Sequence, residues 1–271
     1  MIEFFANLFG YLLNFLYNVV QNYGLAIILF SVIIKLLMLP LTIKQQQTMK
    51  KSIKLQEKLR TLQVKYKNNP EKLNQEMMEL YKSENMNPFS GCFSSIIQII
   101  LLFAVFYLVR SPLTHMRKVD SNLIAEYTTQ IQESEQEKSA YTEIQIIREK
   151  GQENPEVFIN MEFLGLDLSK VPGSNFEDFR VYIIPVLYVI SSVISIKLTN
   201  STTSTKKDSE NKDSEDPMMQ TNKMMNWMMP IMSVSIAIIA PLGLALYWLV
   251  NNILMIIERL ILNRFMNQEE E

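Results

Sequence analysis

The sequence is poor in the residues that most chemistry-bearing proteins use. Cys92 is the only cysteine and His115 the only histidine among 271 residues. A disulfide framework, a cysteine-based zinc site and a polyhistidine metal centre are therefore excluded, and a Ser-His-Asp triad would hang on one residue. Seven glycines and ten prolines rule out collagen-like and glycine-rich architectures. A surplus of one charge sign is missing as well. The formal net charge is -2, without the basic excess that replaces phosphate counterions, so no specific nucleic-acid partner is expected. No Lys or Arg precedes Lys35, which argues against a cleavable signal, and Cys92 comes too late for a lipoprotein cleavage site. The expectation is a chain without catalytic residues, metal or cofactor.

What is present is apolar and clustered. A helix needs about 20 apolar residues, each rising about 1.5 Å, to cross a hydrocarbon core of roughly 30 Å. Residues 24–42, 92–110, 180–198, 226–241 and 242–262 qualify or nearly so, the fourth being short. The fold class predicted is an all-α integral membrane protein with five transmembrane helices, the last two joined by a tight hairpin at Pro241 and Gly243. Residues 1–23 read differently. Glu3, Asn7, Asn14, Asn18 and Gln21 share one stripe of a helix, and Phe4, Phe5, Leu8, Leu12, Phe15 and Leu16 fill the rest, the pattern of an amphipathic helix lying in the interface. The alternative is a sixth spanning helix.

Basic residues near membrane ends set orientation. Residues 44–91 carry ten Lys or Arg against five acidic residues, whereas residues 111–179 carry six against thirteen. The first segment belongs in the cytoplasm, the N-terminus and residues 111–179 outside, and the tail, residues 263–271, inside. Within residues 43–91, Leu55, Leu59, Leu62 and Tyr66, then Leu73, Met77 and Leu80, recur at helical spacing. Asn69 and Pro70 between them suit the N-cap and first position of a new helix, so a cytoplasmic helical hairpin is expected. Residues 199–225, rich in Ser, Thr and charge, are expected to be disordered. The outer loop shows weaker helical patterning, at Val119, Leu123, Tyr127 and Ile131 and again at Tyr141, Ile144 and Ile147. It closes in the apolar stretch FINMEFLGLDLSKVP, expected to rest on the membrane surface.

Lys35 lies inside the first apolar run, where a buried Lys costs about 2.5–3.5 kcal/mol on insertion scales. Two readings compete: a stem that snorkels to the cytoplasmic interface, and a functional, water-accessible site. Ser31 shares its face one turn earlier. Gln98, Ser191, Ser192, Ser195, Ser233, Ser235, Asn251, Asn252 and Glu258 lie in the other runs, either as hydrogen-bonding glue between helices or as a wet internal surface. Glu258 sits near Lys35 in depth, so an ion pair between them is the specific rival to a free positive charge. Seven methionines between Met218 and Met232 suit a surface that accepts varied apolar partners, or ordinary core and lipid contacts.

The strings IIKLLMLPLTIKQQQTMKK, LNQEMMELYKSENMNPFSGCFSSIIQIILLFAVFYL, FLGLDLS before YIIPVL, and DPMMQTNKMMNWMMPIM followed by PLGLALYWLVNNI carry a family resemblance. In these, and most specifically in E-x-x-x-L-Y-K-x-x-x-x-N-P-x-x-G-C at residues 76–92, the chain resembles the YidC/Oxa/Alb membrane protein insertases of the compact, Gram-positive-like form. The resemblance covers most of the chain apart from the outer loop and residues 199–225. It implies five helices around a hydrophilic groove open to cytoplasm and lipid. Lys35 matches the family's basic groove residue, usually Arg, keeping its charge without the bidentate fork. Ser31, Gln98, Ser233, Tyr247, Trp248, Asn251 and Asn252 complete the implied groove. The implied path for a client helix runs along Ile96, Ile99, Phe103 and Phe106 and along Met228, Met232, Ile236 and Ile239. Lys51, Lys54, Lys58, Arg60 and Lys65 are the partner-binding residues of the hairpin.

The resemblance further implies a non-enzymatic insertase and chaperone in the bacterial cell membrane, monomeric, with nascent membrane proteins and lipid as partners. The Sec translocon, the ribosome and a targeting receptor are candidate partners, although a tail ending NQEEE argues against tail-mediated ribosome binding. The large N-terminal extracytoplasmic domain of Gram-negative members is not matched, and the outer loop is longer than the compact form leads one to expect. The alternatives are a secondary transporter using a Lys35–Glu258 intramembrane site, for which inverted repeats are lacking, and a membrane-anchored scaffold acting through its hairpin. A membrane-embedded enzyme has no clustered acidic residues to use.

Overall fold

Long apolar runs leave the backbone few ways to satisfy its own N–H and C=O groups away from water, and helices follow. The computed structural model describes residues 2–84, 90–134, 141–203 and 238–268. Its α-helices are α1 (Ile2–Val20), α2 (Tyr23–Lys65), α3 (Pro70–Ser83), α4 (Ser90–Arg110), α5 (Ser121–Ser134), α6 (Thr142–Lys150), α7 (Ile183–Thr203) and α8 (Leu242–Gln268). A π-turn, Leu113–Arg117, follows α4, and 3-10 turns occupy Pro172–Ser174 and Phe179–Tyr182. Among the described residues the only strands are β1 (Glu162–Phe163) and β2 (Leu166–Asp167), paired antiparallel. The chain divides into two units, Met1–Lys35 with Phe103–Glu271, and Leu36–Leu102.

Among the described residues three helical segments are long and apolar enough to cross a bilayer: Tyr23–Thr48, Phe179–Leu198 and Leu242–Leu262. Ile96–Arg110 is apolar but shorter. Most of the expected span 226–241 lies outside the described residues, as does the expected disorder from residue 204 onward. The expected span at residues 24–42 and the expected first arm of the hairpin lie on one helix, since α2 continues through Pro40 to Lys65. A proline inside a helix removes one intrahelical N–H bond, and here the chain resumes helix on both sides of the loss. Residues 199–203, expected as the start of a loop, are helical, since α7 runs on to Thr203.

In the larger unit, α7 and α8 pack together with their polarity turned inwards. Ser191 and Ser192 are each 7% exposed, whereas Val186 and Ile190 on the same helix are each 53% exposed. On α8, Asn252 and Glu258 are buried while Ile253, Ile257, Leu260 and Ile261 are bare. A water-soluble helix pair would show the reverse; apolar side chains outside and hydrogen-bonding groups inside suit a lipid surround.

Helix α1, 19 residues long, is not among the segments apolar enough to cross. It buries Ala6, Phe9, Leu13, Leu16 and Tyr17 and leaves Phe4, Leu8, Tyr11, Phe15 and Val19 exposed. Phe9 meets Phe30 of α2 edge-on, ring centroids 5.7 Å apart. Against the π-turn the backbones come so close that a Cβ on Gly10 would overlap the carbonyl oxygen of His115. Glu143 at the start of α6 holds that turn, accepting hydrogen bonds from the N–H groups of Leu113 (2.8 Å) and Thr114 (3.0 Å) and from the Thr114 hydroxyl (2.6 Å). Burial pushes the Glu143 carboxyl above its ordinary range, and these donors pull it partly back.

His115 Nδ1 lies 3.1 Å from Asn7 Oδ1, which also accepts from Lys118. Burial first, and then the Lys118 charge, push His115 below the ordinary imidazole range, with Glu3 acting weakly the other way. Between that lowered value and about pH 6.5 the unfolded chain binds more protons than the folded one. The stability that His115 contributes is thus present above about pH 6.5 and lost as the pH falls through its lowered pKa. Thermal unfolding followed from pH 8 to 5 is expected to show a midpoint falling on acidification, and His115→Gln is expected to remove that part of the slope.

Residues 141–179 carry more structure than their patterning suggests. Residues Asn160 to Lys170 stitch together the starts of two spans: Tyr23 N–H donates to the Asn160 carbonyl (3.0 Å), Leu242 N–H to the Lys170 carbonyl (2.9 Å) and Gly243 N–H to the Leu168 carbonyl (3.0 Å). Gly24 lies under the Phe163 ring where no side chain would fit. The β1–β2 turn uses left-handed Leu164 (φ 50°) and Gly165 (φ 75°), the pairing of positive φ values that two-residue hairpins require.

In the smaller unit the two arms run antiparallel. Lys58 pairs with Glu84 at 2.6 Å, and Tyr66 Oη donates to Glu76 at 3.1 Å. Leu55 and Leu59 are buried. Asn69 caps α3 by accepting from Lys72 N–H at 3.1 Å, with Pro70 in the first turn. Asn69→Ala is expected to cost about 1 kcal/mol, read as faster hydrogen exchange across the first turn of α3.

Candidate functional site

Lys35 lies twelve residues into the span Tyr23–Thr48 and Glu258 sixteen residues into Leu242–Leu262, about 18 Å and 24 Å from starts that the segment Asn160 to Lys170 ties together. Two long side chains at similar depth on neighbouring helices can meet, and they do. Lys35 Nζ stands 2.6 Å from Glu258 Oε2, with the side chains 24% and 7% exposed. The ammonium is therefore a member of an ion pair; it neither snorkels alone nor stands free. The other carboxylate oxygen, Glu258 Oε1, is buried without a hydrogen-bond partner among the described residues.

Small polar groups elsewhere on these spans bond across or within the helices. The Asn252 amide donates to the hydroxyls of Ser191 and Ser192, each at 2.9 Å, and Ser191 in turn donates to the Tyr188 carbonyl at 2.8 Å. Hydrogen bonds of this kind hold packed membrane helices together. Ser31, fully buried, donates back to the Ile27 carbonyl at 2.8 Å. The Asn251 amide donates to the Tyr247 carbonyl at 2.9 Å. Tyr247 is buried and Trp248 half-buried, the latter 6.3 Å from the Tyr188 ring.

The remaining expected residues are scattered between the units or absent from view. Ser233, Met228, Met232 and Ile236 lie outside the described residues. Phe103 and Ile239 are exposed and Phe106 half-buried in the larger unit. In the smaller unit Ile96 and Ile99 are exposed, and the Gln98 amide donates to Gln45 Oε1 at 3.0 Å. Of the hairpin's basic residues, Lys58 is engaged with Glu84 and Lys65 stands 5.0 Å over the Tyr66 ring. Lys51 is exposed and Arg60 half-buried, while the side chain of Lys54 lies outside the described residues. The expected groove set omitted Glu258, Ser191 and Ser192. The Lys35–Glu258 pair itself was expected as the rival to a free charge, on a charge of opposite sign in a second apolar run at matching depth.

These features define a polytopic helical membrane protein with a charged pair inside its apolar spans. A family model described as 60Kd inner membrane protein matches residues 15–270, and the chain belongs to that family. Membrane protein insertase YidC of Treponema denticola is 28% identical over 258 residues, 95% of this chain and 37% of that protein. The protein of the same name from Geobacter sulfurreducens is 30% identical over 258 residues, again 95% and 37%. That from Clostridium perfringens is 44% identical over 104 residues, 38% of this chain and 43% of that protein. The chain spans little more than a third of the length of the full-coverage relatives.

Proposed function

We propose that the chain is a membrane protein insertase that takes nascent transmembrane segments into a hydrophilic groove and releases them sideways into lipid. The observation that carries this reading is the family match over residues 15–270, among relatives that bear the name membrane protein insertase. An intramembrane ammonium at Lys35 supplies the chemistry. A short acidic extracytoplasmic segment of the client is attracted to it at low dielectric, while burial of the client's apolar helix drives the transfer. No covalent bond is made or broken.

In this reading residues 1–23 lie in the outer interface, the N-terminus is outside and the C-terminus inside, and the basic excess of residues 44–91 holds the hairpin in the cytoplasm of a bacterial cell. The hairpin is where a ribosome, targeting receptor or Sec translocon would dock, and the chain works as a monomer with Sec or alone. Lys35, Ser31, Tyr247, Trp248, Asn251 and Asn252 serve the groove, and exposed apolar residues such as Phe103 and Ile239 offer the client a path.

Proteoliposomes carrying the chain with photo-crosslinkers at Phe103 and Ile239 test this directly. Translation of a single-span client in their presence is expected to give protease-protected client and crosslinks from both positions. Insertion no better than into empty liposomes, with no nascent chain captured, would replace the insertase by a transporter or scaffold.

A further inference from the structure

Resting on the insertase reading, we propose that Glu258 is the resting occupant of the client-binding ammonium. An acidic client segment engages Lys35 by exchanging with the Glu258 carboxylate, and Glu258 thereby sets how strongly the site discriminates in favour of acidic clients.

Lys35 is not a bare cation awaiting a ligand: its Nζ already contacts Glu258 Oε2 at 2.6 Å. A second carboxylate brought to the same ammonium would face the first across a few ångströms, and like charges at that range in a desolvated site exclude one another. Binding is therefore exchange and not addition. The two partners are unequally enclosed, Lys35 24% and Glu258 7% exposed, so the open side of the ammonium is the side from which a client arrives.

The resting pair is also incompletely satisfied. Glu258 Oε1 is buried and finds no donor among the described residues, and a buried acceptor without a donor weakens the state that holds it. A fully bonded carboxylate would resist displacement; among the described residues this one is held through a single oxygen. A client lacking an acidic group has nothing to offer Lys35 in place of Glu258 and leaves the internal pair intact. The internal carboxylate thus works as a threshold, since only a competitor of the same chemistry displaces it.

The test compares two clients, one with Asp in its extracytoplasmic segment and one with those Asp residues changed to Asn, in the proteoliposome assay with the crosslinker at Phe103. Glu258→Gln keeps the side chain's shape and removes the competing charge. It is expected to raise capture of the acidic client about fivefold or more relative to the neutral one. Glu258→Asp, which retains the charge one methylene further away, should move the same ratio in the same direction by less, and it serves if Glu258→Gln does not fold. An unchanged ratio in a variant that still inserts both clients overturns the exchange, because a purely structural pair would alter both clients alike. Failure of the unaltered protein to insert either client overturns the insertase reading, and the exchange with it.

Discussion

Lys35→Ala is expected to remove about 3–5 kcal/mol of stability, because it leaves the Glu258 carboxylate, 7% exposed, buried without its cation. Loss of client insertion by that variant alone would be ambiguous, since a damaged fold and a missing ammonium both produce it. The pair must be removed together. Lys35→Met with Glu258→Gln replaces two charges by neutral groups of similar length, and such replacements of buried ion pairs are commonly neutral to stability or raise it. The expected result is a double variant with a thermal midpoint close to that of the original chain. Its insertion of clients with acidic tails falls steeply while insertion of clients with neutral tails is kept. A double variant as unstable as Lys35→Ala would mean that Lys35 holds the bundle by contacts other than its bond to Glu258.

Gly10→Val is the second large effect expected. Even a Cβ at this position would overlap the carbonyl oxygen of His115, and the obstacle is backbone held by Glu143, so it cannot rotate aside. Overpacking of this kind costs about 1–3 kcal/mol. Here the cost falls on one interface: α1 should lift from the π-turn, with loss of hydrogen-exchange protection in α1. The companion Leu8→Ala, on the exposed face of the same helix, is expected to shift stability by about 0.5 kcal/mol or less. Equal loss of protection in both variants would show that α1 is held by something other than its seat on the π-turn.

The candidate site was legible to unequal degrees. Lys35 stands out because a single cation in a long apolar run is costly wherever the helix goes, and that judgement needs no neighbours. Its partner is a different matter. Depth along each helix brings Glu258 level with Lys35 from sequence alone, but whether the two side chains meet depends on which helices are adjacent and how each is rotated about its axis. Asn252 shows the same limit. An amide in an apolar helix must find partners, yet only packing against α7 assigns it Ser191 and Ser192. The segment at residues 111–179 was read least well. Its helices α5 and α6 are short and weakly patterned, and the stitching of Asn160 to Tyr23, and of Lys170 to Leu242, joins residues far apart in the chain.

The sequence by itself determined the features whose causes are local. The apolar runs, the Asn69 cap ahead of Pro70 and the cost of Lys35 in hydrocarbon each follow from residues within a few turns of one another, where backbone hydrogen bonding and hydropathy decide. Tertiary structure alone decided that Gly10 seats α1 on the π-turn and that the Lys35 charge is answered by Glu258. Those outcomes depend on contacts between segments distant in the chain, and periodicity along one helix does not specify its neighbours.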